Sequence, residues 1–250
     1  MSVSDSMSAA KDRLAREVAA VSRLLVSEGI LDYSGHVSTR VPGRDAFLIQ
    51  TGLDSRAELR PERLLLVDYD GNVLEGSGKP PAELPLHIEV FKARPDVQAV
   101  LHCHMELAIA FTMMKGVKLH LMRARAVRWE SGIPMHPDPS HIKLTEQAEA
   151  LARTLGPHHA VLMRAHGLTL VAESVPALLV DAIHFQENAT AMMQVLQSGA
   201  EPEPLTEEEL VQINLHEMRE FHVGKLWNYY MRKGMGAALV PPEWELVQAS

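Results

Sequence analysis

The sequence predicts a layered α/β or α+β fold. Short apolar runs rich in Val, Leu and Ile fill the first two thirds of the chain, bounded by Gly, Pro, Asn and Asp. Between and after them lie longer stretches whose apolar residues recur at helical spacing. Strands interleaved with helices pack as layers around a common core, and 250 residues suffice to bury a sizeable one.

The elements follow in order. From about Ser8 to Glu28, Leu14, Val18, Val21, Leu24 and Leu25 share one helical face, and Gly29 is a stop. Val37 to Arg40 and Phe47 to Gln50 read as strands joined by a turn at Pro42-Gly43-Arg44-Asp45. Leu64 to Asp68 and Asn72 to Glu75 form a hairpin around Asp70-Gly71. Leu84 to Ala93 is a short helix after Pro80-Pro81, and Glu106 to Met114 is another. An apolar run from Ala99 ends in His102-Cys103-His104, and a second from Ala160 ends in His166-Gly167. Ile142 to Leu155 and Val175 to Gln197 are helices. Glu201-Pro202-Glu203-Pro204 is a loop before a last helix, Thr206 to Lys233, with Gly224 its weak point. No repeat or linker interrupts the chain, so one domain spanning 1–250 is expected, with a C-terminal helical segment at about 206–233.

Composition narrows the function classes. The hydrophobic fraction of 46% and charged fraction of 22% are ordinary for a globular protein. A net charge of -8 argues against general nucleic-acid binding. A single cysteine rules out an internal disulfide framework and suits a reducing cytoplasm. No apolar run approaches the roughly 18 residues of a membrane span, and the polar start Met1-Ser2-Val3-Ser4-Asp5-Ser6 lacks a signal-peptide core.

The most informative stretch is Ala99-Val100-Leu101-His102-Cys103-His104. Alternate residues of a strand point to the same face, so the two imidazoles project together. Cys103 points the other way, as a small core residue. His166 ends the second apolar run, and Glu83 lies upstream. Three imidazoles and a carboxylate form a common zinc-type set with a position left for water or substrate, and they also suit Mn, Fe or Co. An HxH pair also arises by chance in a chain with 13 histidines. Glu83 taken alone reads first as a charge at a helix N-terminus. His120, His136, His141 and His184 read as surface or packing residues, and His158-His159 as a turn.

The order Glu83, His102-x-His104, His166-Gly167 resembles the class II aldolase/adducin family. Ser34-Gly35-His36-Val37-Ser38-Thr39-Arg40, Gln50-Thr51-Gly52 and Arg94-Pro95-Asp96 support the resemblance, which runs from about Ala10 to about Gln197. It implies a three-layer α/β/α fold, with a central, largely antiparallel sheet flanked by helices. It implies His102, His104 and His166 as ligands of one divalent metal ion per chain (Zn, Mn, Fe or Co), with Glu83 binding the metal or moving a proton. It also implies a homo-oligomer, a tetramer in form, with active sites near subunit contacts.

Departures from the sugar-phosphate members of that family point to a different substrate. Those members hold phosphate with an Asn in a Gly-Asn-Val-Ser motif and a Ser-Ser pair before the glutamate. Here His36 replaces the Asn, and Pro81-Ala82 replaces the pair, removing two hydroxyl donors. Thr51-Gly52 remains. The expected substrate is a small unphosphorylated carboxylate, met by Ser34, Gly35, Thr51, Gly52 and the cations Arg40, Arg56 and Lys79. The expected reaction is a divalent-metal-dependent carbon–carbon lyase step: decarboxylation of a hydroxylated aromatic or heteroaromatic (di)carboxylate through a metal-stabilised enolate. Glu83 or His36 would be the general acid, Glu83 through a pKa raised by burial. An aldolase for a hydroxy-keto acid or sugar phosphate is the alternative, and an adducin-like interaction module without catalysis is a third. By resemblance, a C-terminal tyrosine, Tyr229, covers the site. Trp227 and Tyr230 equally suit helix packing, and Arg123 to Trp129 suits a subunit contact.

Overall fold

The computed structural model describes residues 3–213 and 218–247. The chain begins with α1 (Val3–Ser27), followed by strands β1 (His36–Arg40), β2 (Ala46–Gln50), β3 (Leu64–Asp68) and β4 (Val73–Glu75). Helix α2 (Leu84–Ala93), strand β5 (Ala99–Cys103) and helix α3 (Glu106–Met113) come next, then the short strand β6 (Met135–His136) and helix α4 (Thr145–Leu155). The hairpin β7 (Ala160–Met163) and β8 (Gly167–Ala172) leads into the long helix α5 (Val175–Gln197), then α6 (Glu207–Ile213) and α7 (Arg219–Gly236).

The strands form one sheet in the order β4-β3-β2-β1-β5-β8-β7-β6. Every neighbouring pair is antiparallel except β6 with β7. The expected largely antiparallel sheet with helices on both faces is what the chain adopts. Period-two alternation divides the interior. Ala99, Leu101 and Cys103 of β5 pack with residues of α1, α5 and α7, whereas Val100 packs on the opposite face with residues of α2 and α4. Val100 and Leu101 are both fully buried, and each such side chain contributes about 1.5–3 kcal/mol. His102 follows Val100 in phase, so it faces α2.

Two close approaches fix this middle of the sheet. A Cβ on Gly35 would lie 2.5 Å from Leu31 Cδ1 and 2.7 Å from the His102 carbonyl oxygen, so only glycine lets the segment before β1 pass β5. On the α5 side, the buried Asp181 accepts from Arg128 Nε at 3.0 Å and from Arg219 Nη1 at 3.0 Å. These bonds tie the start of α7 to α5 through a carboxylate that would be costly to leave unpaired.

Three expectations change in detail. The helix expected from Ile142 starts at Thr145. Gln147 Oε1 accepts from the Lys143 and Leu144 N–H groups, capping the helix there and leaving Ile142 extended before it. The C-terminal helix expected as one piece over 206–233 is instead α6 and α7, and 214–217 lie outside the described residues. Strand β6 was not expected, because a two-residue strand has no readable period. Among the described residues, no helix is long and apolar enough to cross a membrane.

Candidate metal centre

Four side chains meet where β5, the β7–β8 turn and the start of α2 converge. Glu83, His102, His104 and His166 each place a ligand atom within 4.8 Å of the others. Strand periodicity aligns the two β5 imidazoles, whose ring centroids are 5.0 Å apart. His166 sits in the tight β7–β8 turn, where Ala165 takes a left-handed φ of 52° and its N–H donates to Thr112 Oγ1. Such a conformation is costly for a residue with a side chain and is held by its surroundings. Gly167 completes the turn: a Cβ there would meet the Cys103 carbonyl oxygen at 2.7 Å and the His102 and His104 rings at 3.2 Å.

Glu83 is the N-cap residue of α2 but makes no side-chain capping bond. Its carboxylate turns inward instead. Oε1 accepts from the Ile142 N–H at 2.9 Å and lies 3.4 Å from His166 Nε2. Oε2 lies 3.3 Å from His102 Nε2 and 3.9 Å from His36 Nε2. The 3.3 Å approach is close electrostatically but is not aligned as a hydrogen bond, for His102 Nε2 and His166 Nε2 are buried without a hydrogen-bond partner, as is His102 Nδ1. Orphaned imidazole nitrogens converging on a carboxylate fit a divalent cation, which would engage their lone pairs.

The rings are held from behind. His104 Nδ1 donates to Asp32 Oδ2 at 3.0 Å, and Asp32 Oδ1 accepts from the Ser34 and Gly35 N–H groups. His166 Nδ1 donates to the Ser140 carbonyl at 3.0 Å. Such bonds fix the tautomer, leaving Nε2 free to bind a metal. Burial opposes charge on Glu83, but His102, the Ile142 N–H and His166 outweigh it and hold the carboxyl at about 2. This corrects the expectation of a raised pKa: the resting Glu83 is ionised, suited to ligation or proton acceptance.

The other expected site residues divide. Ser34 lines the cavity with His104, His141 and His166. His36 stacks on His102, its register partner across β1 and β5, with centroids 5.2 Å apart. Thr51 and Gly52 lie beside the Lys79–Pro81 segment, but their groups are spent internally: Thr51 Oγ1 donates to Asp54 Oδ2, and the Gly52 N–H donates to the Lys79 carbonyl. Arg56 is occupied by the carbonyls of Gly35, Gly52 and Asp54. Arg40 does not reach the centre. It sits at the far end of β1 from His36, about 13 Å along the strand, where the Val97, Phe91 and Arg94 carbonyls and the Tyr69 hydroxyl take its donors. Tyr229 is exposed on α7, edge-on to Tyr230, and is not among the residues that line the cavity. Trp227 is buried and donates to the Leu246 carbonyl, a packing role.

Asp32, His87 and His141 are additions. Asp32 lies in a loop without periodicity. His87 follows Glu83 by four positions, one helical turn on the same face, and is fully buried. His141 stands at the rim, 3.7 Å from Glu83 Oε1. Burial, then His102, holds His87 at about 3, down from 6.5, and burial first among several causes holds His166 at about 4. These depressed values give a sign. Below about 6.5 the unfolded chain binds protons that the folded rings refuse, so stability falls as pH drops from there towards about 3. Thermal melts of the metal-free protein should show this slope, shallower in His87→Leu; a melting temperature unchanged across that window would contradict it.

Comparison with known proteins finds relatives in sequence and in fold. The family model for the Class II Aldolase and Adducin N-terminal domain matches residues 16–193. A 3,4-dihydroxyphthalate decarboxylase from Arthrobacter keyseri is 30% identical over 213 residues, covering 80% of this chain and 86% of that protein. A probable L-ribulose-5-phosphate 4-epimerase from Mycoplasma pneumoniae is 33% identical over 100 residues, 39% of this chain and 41% of that one. The crystal structure of an aldolase II superfamily protein from Pseudomonas syringae superposes with a TM-score of 0.79 at 24% identity, covering 92% of this chain and 95% of that one.

Proposed function

The chain belongs to the class II aldolase and adducin family, and on that premise we propose that it is a metal-dependent lyase that decarboxylates a hydroxylated aromatic carboxylate. The observation that carries the substrate class is coverage. Similarity to a dihydroxyphthalate decarboxylase spans most of both chains, whereas similarity to the sugar-phosphate epimerase stops at 39% of this one. The local chemistry supports it. Pro81 and Ala82 offer no hydroxyl beside Gly52, and the Thr51 hydroxyl and Gly52 N–H are already bonded, so a phosphate would find few donors there.

Glu83, His102, His104 and His166 would hold the divalent ion, which supplies Lewis-acid polarisation of a substrate oxygen when bound. The chain's own residues do the rest. Asp32 and the Ser140 carbonyl keep His104 and His166 oriented. His36 faces the same space and offers a polar contact to a carboxylate. As the carbon–carboxylate bond breaks, its electron pair stays on the ring carbon and carbon dioxide leaves. A proton must then reach that carbon. Glu83 is ionised at rest, so it first accepts a proton, and the exposed His141 at 3.7 Å is placed to pass one in from solvent. We extend the proposal to a homo-oligomer, the usual form of soluble assemblies with closed symmetry.

The test is product analysis. Metal-loaded protein given 3,4-dihydroxyphthalate and related hydroxyaromatic acids should release carbon dioxide, and fuculose and ribulose phosphates should turn over poorly. Efficient sugar-phosphate turnover with no decarboxylation of any hydroxyaromatic acid would overturn the proposal.

A further inference from the structure

A buried chain of hydrogen bonds runs behind the centre. Ser38 Oγ lies 2.6 Å from His87 Nδ1, and His87 Nε2 lies 3.0 Å from His36 Nδ1. His36 Nε2 then faces Glu83 Oε2 at 3.9 Å. His36 and Ser38 are both on β1, two residues apart and therefore on one face. His87 projects onto them from the first turns of α2, and all three side chains are buried. None of the three belongs to the four-residue metal group.

We infer that Ser38 and His87 are positioning residues that lock His36 as an N–H donor, so that the site recognises an anionic oxygen of its substrate at His36 Nε2. The inference deepens the proposed function and rests on it for the identity of the substrate. The direction of the chain follows from its two ends. A neutral imidazole carries one N–H, and one proton lies between His87 Nε2 and His36 Nδ1. Were it on His36 Nδ1, the His36 Nε2 lone pair would face the Glu83 carboxylate, a repulsive arrangement. With the proton on His87 Nε2, His36 Nδ1 accepts and His36 Nε2–H points towards Glu83 of the four-residue group. His87 Nδ1 is then an acceptor, and the Ser38 hydroxyl, free to rotate, donates to it. In this arrangement the Ser38 hydroxyl, both His87 nitrogens and His36 Nδ1 are paired, and the His36 Nε2–H is left to face the Glu83 carboxylate at 3.9 Å. An oxygen acceptor placed at His36 is favoured, and a group that can only donate is rejected because it meets another N–H.

The test reads tautomers directly and needs no turnover. In the zinc-loaded protein with 15N-labelled histidine, two-bond 15N–1H spectra should show His36 and His87 both protonated at Nε2. Ser38→Ala removes the terminal donor and should mix the tautomers of His87 and His36. It should raise KM for 3,4-dihydroxyphthalate about tenfold, the scale of one lost hydrogen bond to a charged group, with little change in kcat or zinc content. Ser38→Thr keeps the hydroxyl and should behave as the parent. A proton on His36 Nδ1 in the parent protein would overturn the inference, as would a Ser38→Ala protein with unchanged tautomers and unchanged KM. If no hydroxyaromatic acid is decarboxylated, the proposed function fails, while the spectra of parent and Ser38→Ala still decide the positioning role.

Discussion

Alanine in place of His102 or His166 should empty the proposed metal site and abolish turnover. The parent protein should hold about one divalent ion per chain, and elemental analysis of the variants should find almost none. The reason is the shape of the group. His102 Nε2 and His166 Nε2 are buried and unpaired, aimed at the Glu83 carboxylate from 3.3 and 3.4 Å. Each unpaired buried polar atom costs about 1–3 kcal/mol, and an ion binding only the folded state removes that cost. Metal should therefore raise the melting temperature of the parent, and by much less that of either variant. Full metal occupancy in both variants would remove these histidines from the ligand set.

Much of this centre was legible in the sequence because its geometry is local. Period two along β5 puts His102 and His104 on one side, and the same rule puts His36 and Ser38 on one face of β1. A helix beginning after Glu83 places His87 one turn later on the same face, a signal that spacing alone carries. Arg40 shows the limit of parity: it shares a face with His36, but a strand's length separates them, and periodicity gives direction without distance. Thr51 and Gly52 show another limit. Their hydrogen-bonding groups exist in the sequence, but only the fold reveals that Asp54 and Lys79 consume them.

The remaining features depend on segments distant in sequence. Asp32 reaches His104 from 72 positions away, from a loop with no periodic signature. His141 looked like a surface histidine, and its ring is indeed exposed, but the shortened start of α4 leaves it at the rim of the centre. The protonation state of Glu83 is of the same kind. Burial alone argues for a raised pKa, and only the assembled histidines and the Ile142 N–H reverse the sign.

That reversal shapes what Glu83→Gln should do. Glutamine keeps the shape of the side chain, and its amide oxygen can still accept from the Ile142 N–H, so the fold should persist with a melting temperature near that of the parent. What disappears is the negative charge facing His102, His166 and His36, together with the capacity to take up a proton during the reaction. Loss of a general acid–base group lowers rates by about 10²–10⁴-fold, and a weakened metal site would add to that. Measuring kcat with metal content on the same sample separates the two causes. A fall in kcat at full metal occupancy assigns the proton role, and a fall that follows metal loss assigns ligation. A Glu83→Gln protein with activity within a factor of about two of the parent would return Glu83 to the role of a charge at the start of α2.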